Sequence, residues 1–324
     1  MTQDAALLSV DALTVDFRTR AGPLKAVQNV SLEIAAGEIL GIVGESGSGK
    51  SVTALAIMGL LGKAARLRSG TVRFEGRDVL SMRPRERDAW RGRAAAIVFQ
   101  NPRSSLNPIR TVGQQIADVI ARHEALSAHE IRDRVLDAMR QLRIPDPETR
   151  MRAYPFELSG GLCQRIGIAA ALACRPRLLI ADEPTTDLDV TTQAEIMDMI
   201  RQIARARHLG TMLITHDLAL AAAYCDRIAV MHAGHLIETA PVAELFARPR
   251  HPYTVGLLGS APSMVDHVDD LCAIPGTLPD LRRTDLPPCR FAERCARRQA
   301  ACDAPGLDLA PVGPCHAVAC RNPF

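Results

Sequence analysis

One stretch limits what this chain can fold into more than any other: Gly44-Glu45-Ser46-Gly47-Ser48-Gly49-Lys50-Ser51. An apolar run, Ile39-Leu40-Gly41-Ile42-Val43, precedes it and reads as a buried strand. Val52-Thr53-Ala54-Leu55-Ala56-Ile57-Met58 follows and reads as a helix extending to about Leu61. Strand, glycine loop and helix start, in that order, turn a G-x-x-x-x-G-K-[ST] match into a phosphate cradle. The glycines let the backbone curl so that N–H groups point inward, and the helix N-terminus adds roughly half a positive charge. Lys50 then reaches the outer phosphates, and the Ser51 hydroxyl is placed to hold Mg²⁺. A chance match is expected in about one chain in a hundred of this length. Gly44 to Val52 is therefore the candidate nucleotide site.

The remaining residues must build a fold around that loop. At 324 residues the chain suffices for one large domain with an addition, or for two domains. Hydrophobic residues make up 47%, but aromatics only 3%, so aliphatic side chains must fill the core. Basic and acidic residues nearly balance, 39 against 36, which argues against a basic nucleic-acid-binding face. The longest apolar runs, such as Ile166 to Cys174, fall short of the ~20 residues of a membrane span. The Met1-Thr2-Gln3-Asp4 start lacks a leader pattern, so a cytosolic protein with mostly reduced cysteines is expected.

Strands are predicted at Leu7 to Phe17, Ala26 to Ile34, Gly70 to Gly76, Ala95 to Phe99, Arg177 to Ala181, Thr211 to Thr215 and Ile228 to Met231. Helices are predicted at Arg83 to Arg91, Val112 to His123, Ala128 to Arg143, Ile166 to Cys174 and Val190 to His208. That alternation implies an α/β fold with a largely parallel sheet, and residues 101–164 read as a helical insertion. After Ala247 the chain turns Pro-, Arg- and Cys-rich and reads as a separate module. The expected domains are therefore 1–247 and 248–324.

Four further residues fall at strand ends. Asp182 and Glu183 close an apolar strand, with Asp182 placed to bind Mg²⁺ and Glu183 to orient or deprotonate water. An Asp-Glu pair after a strand is usually a cap or a solvated turn; downstream of a phosphate loop the odds reverse. Gln100 and His216 end strands at the carboxyl edge of the sheet, where open α/β sheets bind ligands. The Gln100 amide can reach both Mg²⁺ and the water. Leu158-Ser159-Gly160-Gly161-Leu162-Cys163-Gln164-Arg165 is a second anion-binding helix start in a chain with one phosphate loop.

This last segment resembles the LSGGxxQR signature of the ATP-binding cassette (ABC) family. The resemblance implies a P-loop nucleotide-binding domain with a RecA-like core, an antiparallel β part and a helical subdomain at about 101–164. It implies that Ser159, Gly160, Gly161 and Gln164 act in trans on ATP held by a second cassette. By position, Gln100 becomes the Q-loop, Asp182 and Glu183 the Walker B pair, and His216 the switch histidine. Thr186-Asp187-Leu188-Asp189 becomes the D-loop, with Asp187 where related importers carry Ala, and Phe17 resembles the aromatic that stacks on adenine. The catalytic set is then Glu183, His216 and Gln100, with Mg²⁺ held by Ser51, Gln100 and Asp182.

Asn101-Pro102-Arg103-Ser104-Ser105-Leu106-Asn107-Pro108 looks like the DPxxSLNP of oligopeptide/dipeptide importers. His251-Pro252-Tyr253-Thr254 and Ile274-Pro275-Gly276-Thr277 resemble their HPYTxxLL and IPGxxPDL. This implies an ATPase subunit on the cytoplasmic face of the membrane, peripheral, with two transmembrane permease subunits and an extracytoplasmic solute-binding protein. A second ATPase subunit, expected to be a paralogue, completes the pair. The rival is a soluble ABC ATPase acting on nucleic acid or ribosomes, although such chains usually carry two cassettes. Peptides are the expected solute, with nickel or another small solute as the alternative. Five of the nine cysteines lie within the final 36 residues. No pair has the C-x-x-C spacing of most zinc sites, and disulfides suit a cytosolic protein badly. Four thiolates can hold Zn²⁺ or an iron–sulfur cluster. The family resemblance favours a [4Fe–4S] cluster on Cys289, Cys295, Cys302 and Cys320; a zinc site drawing on Cys315 and His316 is the alternative.

Overall fold

The computed structural model describes residues 6–262, 267 and 272–324; the first four residues, read above for a leader, lie outside them. The chain divides into two compact units. The first takes the residues up to Ile34, Ile39–Leu80 and Leu213–Phe324, and the second takes Ala35–Glu38 and Ser81–Met212.

The first unit opens with strands β1 (Leu8–Thr19) and β2 (Gly22–Ile34), paired antiparallel. Buried and exposed positions alternate along both, as in a sheet packed on one face. Strand β3 (Ile39–Val43) is buried at all five positions, which is why it reads as an unbroken apolar run. The phosphate loop leads into helix α1 (Lys50–Ile57), shorter than expected because Gly59 takes φ 60 and turns the chain away. Strands β4 (Ala65–Phe74) and β5 (Arg77–Asp78) complete a four-stranded sheet in the order β2-β1-β4-β5.

The second unit holds α2 (Pro84–Trp90), β6 (Ala95–Val98), α3 (Pro102–Ser105), α4 (Val112–His123), α5 (Ala128–Gln141), α6 (Pro147–Arg150), α7 (Gly160–Leu172), β7 (Leu178–Asp182) and α8 (Val190–Arg207). Capping boxes start α4 and α5. Thr111 accepts from the Gln114 N–H while the Gln114 side chain accepts from the Thr111 N–H, and Ser127 and Glu130 do the same for α5. Val112, Ile116 and Ile120 form the fully buried stripe of α4, and Val135 and Met139 that of α5. β6 and β7 pair in parallel, as the alternation of elements predicts.

Strand β8 (Gly210–Thr215) carries the chain back into the first unit. There follow α9 (Leu218–Tyr224), β9 (Arg227–His232), β10 (His235–Pro241), α10 (Val242–Ala247), α11 (Pro252–Gly259), β11 (Ala310–Gly313) and β12 (His316–Val318). β9 lies parallel to β3; β10, β12 and β11 then add antiparallel in that order. Tyr253 and Phe291 sit in the same apolar cluster as Val43, Ile228, Val230 and Leu245. Glu238 of β10 is fully buried, and its carboxylate accepts from the Arg250 and His251 N–H groups and contacts His316 Nε2 at 2.8 Å. A carboxylate so deep in the core requires such a set of partners.

Candidate nucleotide site

In the first unit the phosphate loop turns at three glycines with positive φ: Gly44 (150°), Gly47 (82°) and Gly49 (106°). Two of them also lack room for a side chain. A Cβ on Gly44 would lie 2.1 Å from the Met231 carbonyl oxygen, and one on Gly49 would lie 2.7 Å from that of Ala26. The Lys50 ammonium donates to the Gly44 and Glu45 carbonyls at 2.7 and 3.0 Å, so its charge stays over the loop. Ser46 and Ser51 are exposed, whereas Ser48 is fully buried and its carbonyl accepts from the Gly234 N–H at 2.8 Å. Val52, the next residue of α1, is half-buried. Phe17, half-buried on β1, lines a cleft with Arg18, Pro23, Arg66 and Arg68. His216 follows β8 directly and is exposed.

The second unit brings together Gln100 and Glu183. The Gln100 amide donates to Glu183 Oε2 at 2.7 Å, and the Thr186 hydroxyl donates to the same oxygen at 3.0 Å. Glu183 takes φ 46, a strained conformation for a residue with a side chain, at the point where β7 ends. Asp182, one residue earlier, is buried. Asp187 also has positive φ, 66°, and is exposed. Ser159 caps α7 by accepting from the Leu162 N–H, and Gly160 and Gly161 are the first helical residues. A Cβ on Gly161 would meet the Thr192 methyl at 2.8 Å, so that glycine is required by close packing against α8. Gln164 is 1% exposed, and its side chain faces the interior rather than the surface that bears Ser159. Asp189 is committed to capping α8, accepting from the Thr192 N–H at 2.9 Å and the Thr192 hydroxyl at 2.7 Å. Those donors hold its carboxyl below the usual range.

Residues 27–186 match the family model described as ABC transporter, and residues 237–302 match the oligopeptide/dipeptide transporter C-terminal region. The dipeptide transport ATP-binding protein DppD of Haemophilus influenzae is 43% identical over 320 residues, covering 98% of this chain and 96% of that one. DppD of Escherichia coli K12 is 43% identical over 317 residues, covering 96% of each. The chain belongs to the ABC ATP-binding subunits of the oligopeptide/dipeptide family. Among solved structures, the dimeric cassette MJ0796 bound to ADP and Pi aligns with TM-score 0.66 at 26% identity, over 72% of this chain and 98% of that one. The cassette cbiO1 from Clostridium perfringens aligns with TM-score 0.63 at 29% identity, over 75% and 91%. As an ABC ATP-binding subunit, the protein hydrolyses ATP.

The cysteine-rich part of this ABC subunit gathers what the sequence spread out. Cys289, Cys295, Cys302 and Cys320 line one small cavity, together with His251 and Arg297. Burial pushes the Cys289 thiol up to about 11, and the neighbouring Cys320, Cys302 and Cys295 add to the shift. Cys295 and Cys320 are raised too, again chiefly by burial. Among the described residues, no group of three or more His, Cys, Asp or Glu is arranged to hold a metal ion. Cys315 is exposed, and His316 is engaged with Glu238, so neither belongs to the cavity.

Sequence reasoning missed two residues that converge on the phosphate loop from the tail, Tyr253 and Arg294, and the Pro275 carbonyl that holds Arg294. They were legible only as parts of proline and cysteine motifs. Nothing in the local pattern says that Arg294 pairs with a residue 249 positions away.

Proposed function

We propose that this ABC subunit powers the import of peptides. The match of the C-terminal region to the oligopeptide/dipeptide model, in a chain alike from end to end to dipeptide transport subunits, carries that reading. Two permease subunits, an extracytoplasmic binding protein and a paralogous second cassette are the partners that such a chain requires. Its place is then peripheral, on the cytoplasmic face of the membrane. No helix among the described residues is long and apolar enough to cross a membrane, so separate permeases fit the reading.

Within the ATP site, Gly44 to Val52 cradle the phosphates, Phe17 stacks on the base, and Ser51, Asp182 and Gln100 hold Mg²⁺. Glu183 orients and deprotonates the water, assisted by His216. The Gln100 and Thr186 hydrogen bonds support this role, since they fix the Glu183 carboxylate at the end of β7. Ser159, Gly160 and Gly161 serve the ATP of the opposite cassette, and Gln164 supports that helix start from inside. Asp189 fixes the D-loop through its cap on α8. Residues 248–324 form the family's C-terminal module on the 1–247 cassette.

Reconstitution with its permeases and binding protein tests the solute. ATP hydrolysis should rise when dipeptides saturate the binding protein. Stimulation by nickel complexes with none by peptides would replace the peptide reading.

For the cysteine cavity we propose a [4Fe–4S] cluster on Cys289, Cys295, Cys302 and Cys320. The four cysteines line one cavity, Cys302 buried and the other three half-buried, and that convergence supports the reading. A bound cluster would supply the positive charge that lets these thiols ionise. Arg297 beside the cavity is suited to balance part of its net charge. Anaerobic purification should give a brown protein, bleached by Cys295→Ser. Colourless protein with stoichiometric zinc would overturn the cluster.

A further inference from the structure

Glu45, the second residue of the phosphate loop, is held at every polar atom by the first unit. Its N–H donates to the Tyr253 hydroxyl oxygen at 3.0 Å. Its two carboxylate oxygens accept from Arg294 Nη1 and Nη2 at 2.8 and 3.0 Å, a fork-to-carboxylate pair. Its carbonyl accepts from Lys50 at 3.0 Å and from the Ser48 N–H at 3.2 Å.

The tail groups that do this are themselves fixed. The Arg294 side chain is 5% exposed, donates from Nε to the Pro275 carbonyl at 2.7 Å, and lies 5.6 Å from the centre of the Phe291 ring. Tyr253 is fully buried between His232, with ring centres 4.4 Å apart, and Phe291, at 5.4 Å. Burial keeps the His232 imidazole neutral, its pKa drawn down to about 3, with the Arg294 charge adding to the effect. His232 Nδ1, 3.7 Å from Glu45 Oε2, therefore does not compete with Arg294 for the carboxylate.

We propose that Arg294 and Tyr253 are positioning residues for ATP, acting through Glu45. Arg294 neutralises the one acidic side chain in a loop whose task is to bind phosphates, and its rigid fork aims that carboxylate at the tail. Tyr253 takes up the Glu45 N–H, so the inward-pointing donors of the cradle begin later in the loop. Without Arg294, an unpaired carboxylate would face the phosphates at short range, and Lys50 would be drawn to it. The inference rests on the protein being an ATPase and is independent of the cysteine-cavity group.

The full chain is titrated with MgATP and with AMP by calorimetry, and steady-state kcat and KM are measured. Arg294→Ala should weaken MgATP binding about tenfold and raise KM in step, with kcat within about twofold of wild type. AMP binding should be unchanged, since AMP does not place phosphates against Glu45. Tyr253→Phe, which removes one oxygen and keeps the packing, should weaken MgATP about threefold. Adding Glu45→Gln to Arg294→Ala should recover most of the lost affinity, because no charge is left to neutralise. A merely structural Arg294 would not be rescued by that change. MgATP affinity unaltered in Arg294→Ala, or a double variant whose losses simply multiply, would overturn the proposal. If Arg294→Ala fails to fold, Tyr253→Phe with unaltered affinity does so too. A wild-type chain that binds no MgATP would instead overturn the ATPase assignment itself.

Discussion

Glu183 stands at φ 46 with one oxygen receiving both the Gln100 amide and the Thr186 hydroxyl. Both of these donors fall on one carboxylate oxygen, and in the proposed mechanism the carboxylate takes a proton from the attacking water. Glu183→Gln keeps the shape and hydrogen-bonding capacity but removes the basic oxygen. MgATP affinity should stay within about twofold of wild type, while hydrolysis falls by about 10² or more. With its partner cassette present, the variant should also accumulate as a closed, ATP-bound pair on gel filtration. Unchanged steady-state turnover in Glu183→Gln would remove Glu183 from the mechanism. Gln164 teaches the opposite lesson. It belongs to the signature by position, yet its burial gives it a packing task inside the second unit.

Elements were legible in the sequence where one physical signal dominated. β3 and β7 are buried at every position, and an unbroken apolar run between polar residues is enough to find them. α4 carries Val112, Ile116 and Ile120 at helical spacing behind a Thr-x-x-Gln box, and its predicted bounds match those observed. α7 begins six residues earlier than the apolar pattern suggests, because its first turn is Gly160-Gly161, which the eye assigns to a loop. β11 has four exposed residues, including Pro311 and Gly313, so no periodicity exists to be read. α11 hides inside a motif that reads as a proline turn, since Pro252 occupies the first helix position, where its missing N–H costs nothing. The phosphate loop is the element most intolerant of change. Gly44→Ala places a methyl carbon 2.1 Å from a backbone oxygen at a φ that only glycine takes easily. We expect MgATP binding to fall at least tenfold, with stability reduced by about 1–3 kcal/mol in urea titrations. Wild-type affinity in that variant would mean the loop adopts another shape when it works.

At the scale of the whole molecule, the ATPase is written as half of a site. The chain holds one phosphate loop and one Ser159-Gly160-Gly161 helix start, and in the proposed mechanism each serves a different nucleotide. The purified chain should therefore show specific activity that rises with protein concentration, or on addition of a second cassette with permeases. A high specific activity, flat on dilution to the monomer, would mean that one chain completes the site alone.

The order in which the strands are made has a further consequence. β10 is synthesised long before β12, which pairs with it through Glu238–Val318 and Thr239–Ala317. Until residues 316–318 leave the ribosome, that side of β10 presents unpaired N–H and C=O groups, the kind of edge that recruits other strands. Stalled or prematurely terminated translation products would carry this open edge, and they would be sticky rather than merely short. Once translated past Val318, the chain covers it with β12 and then with β11, whose Pro311 and exposed residues make a poor template for further growth. The three residues of β12 thus separate chains with a covered β10 edge from fragments that leave it open.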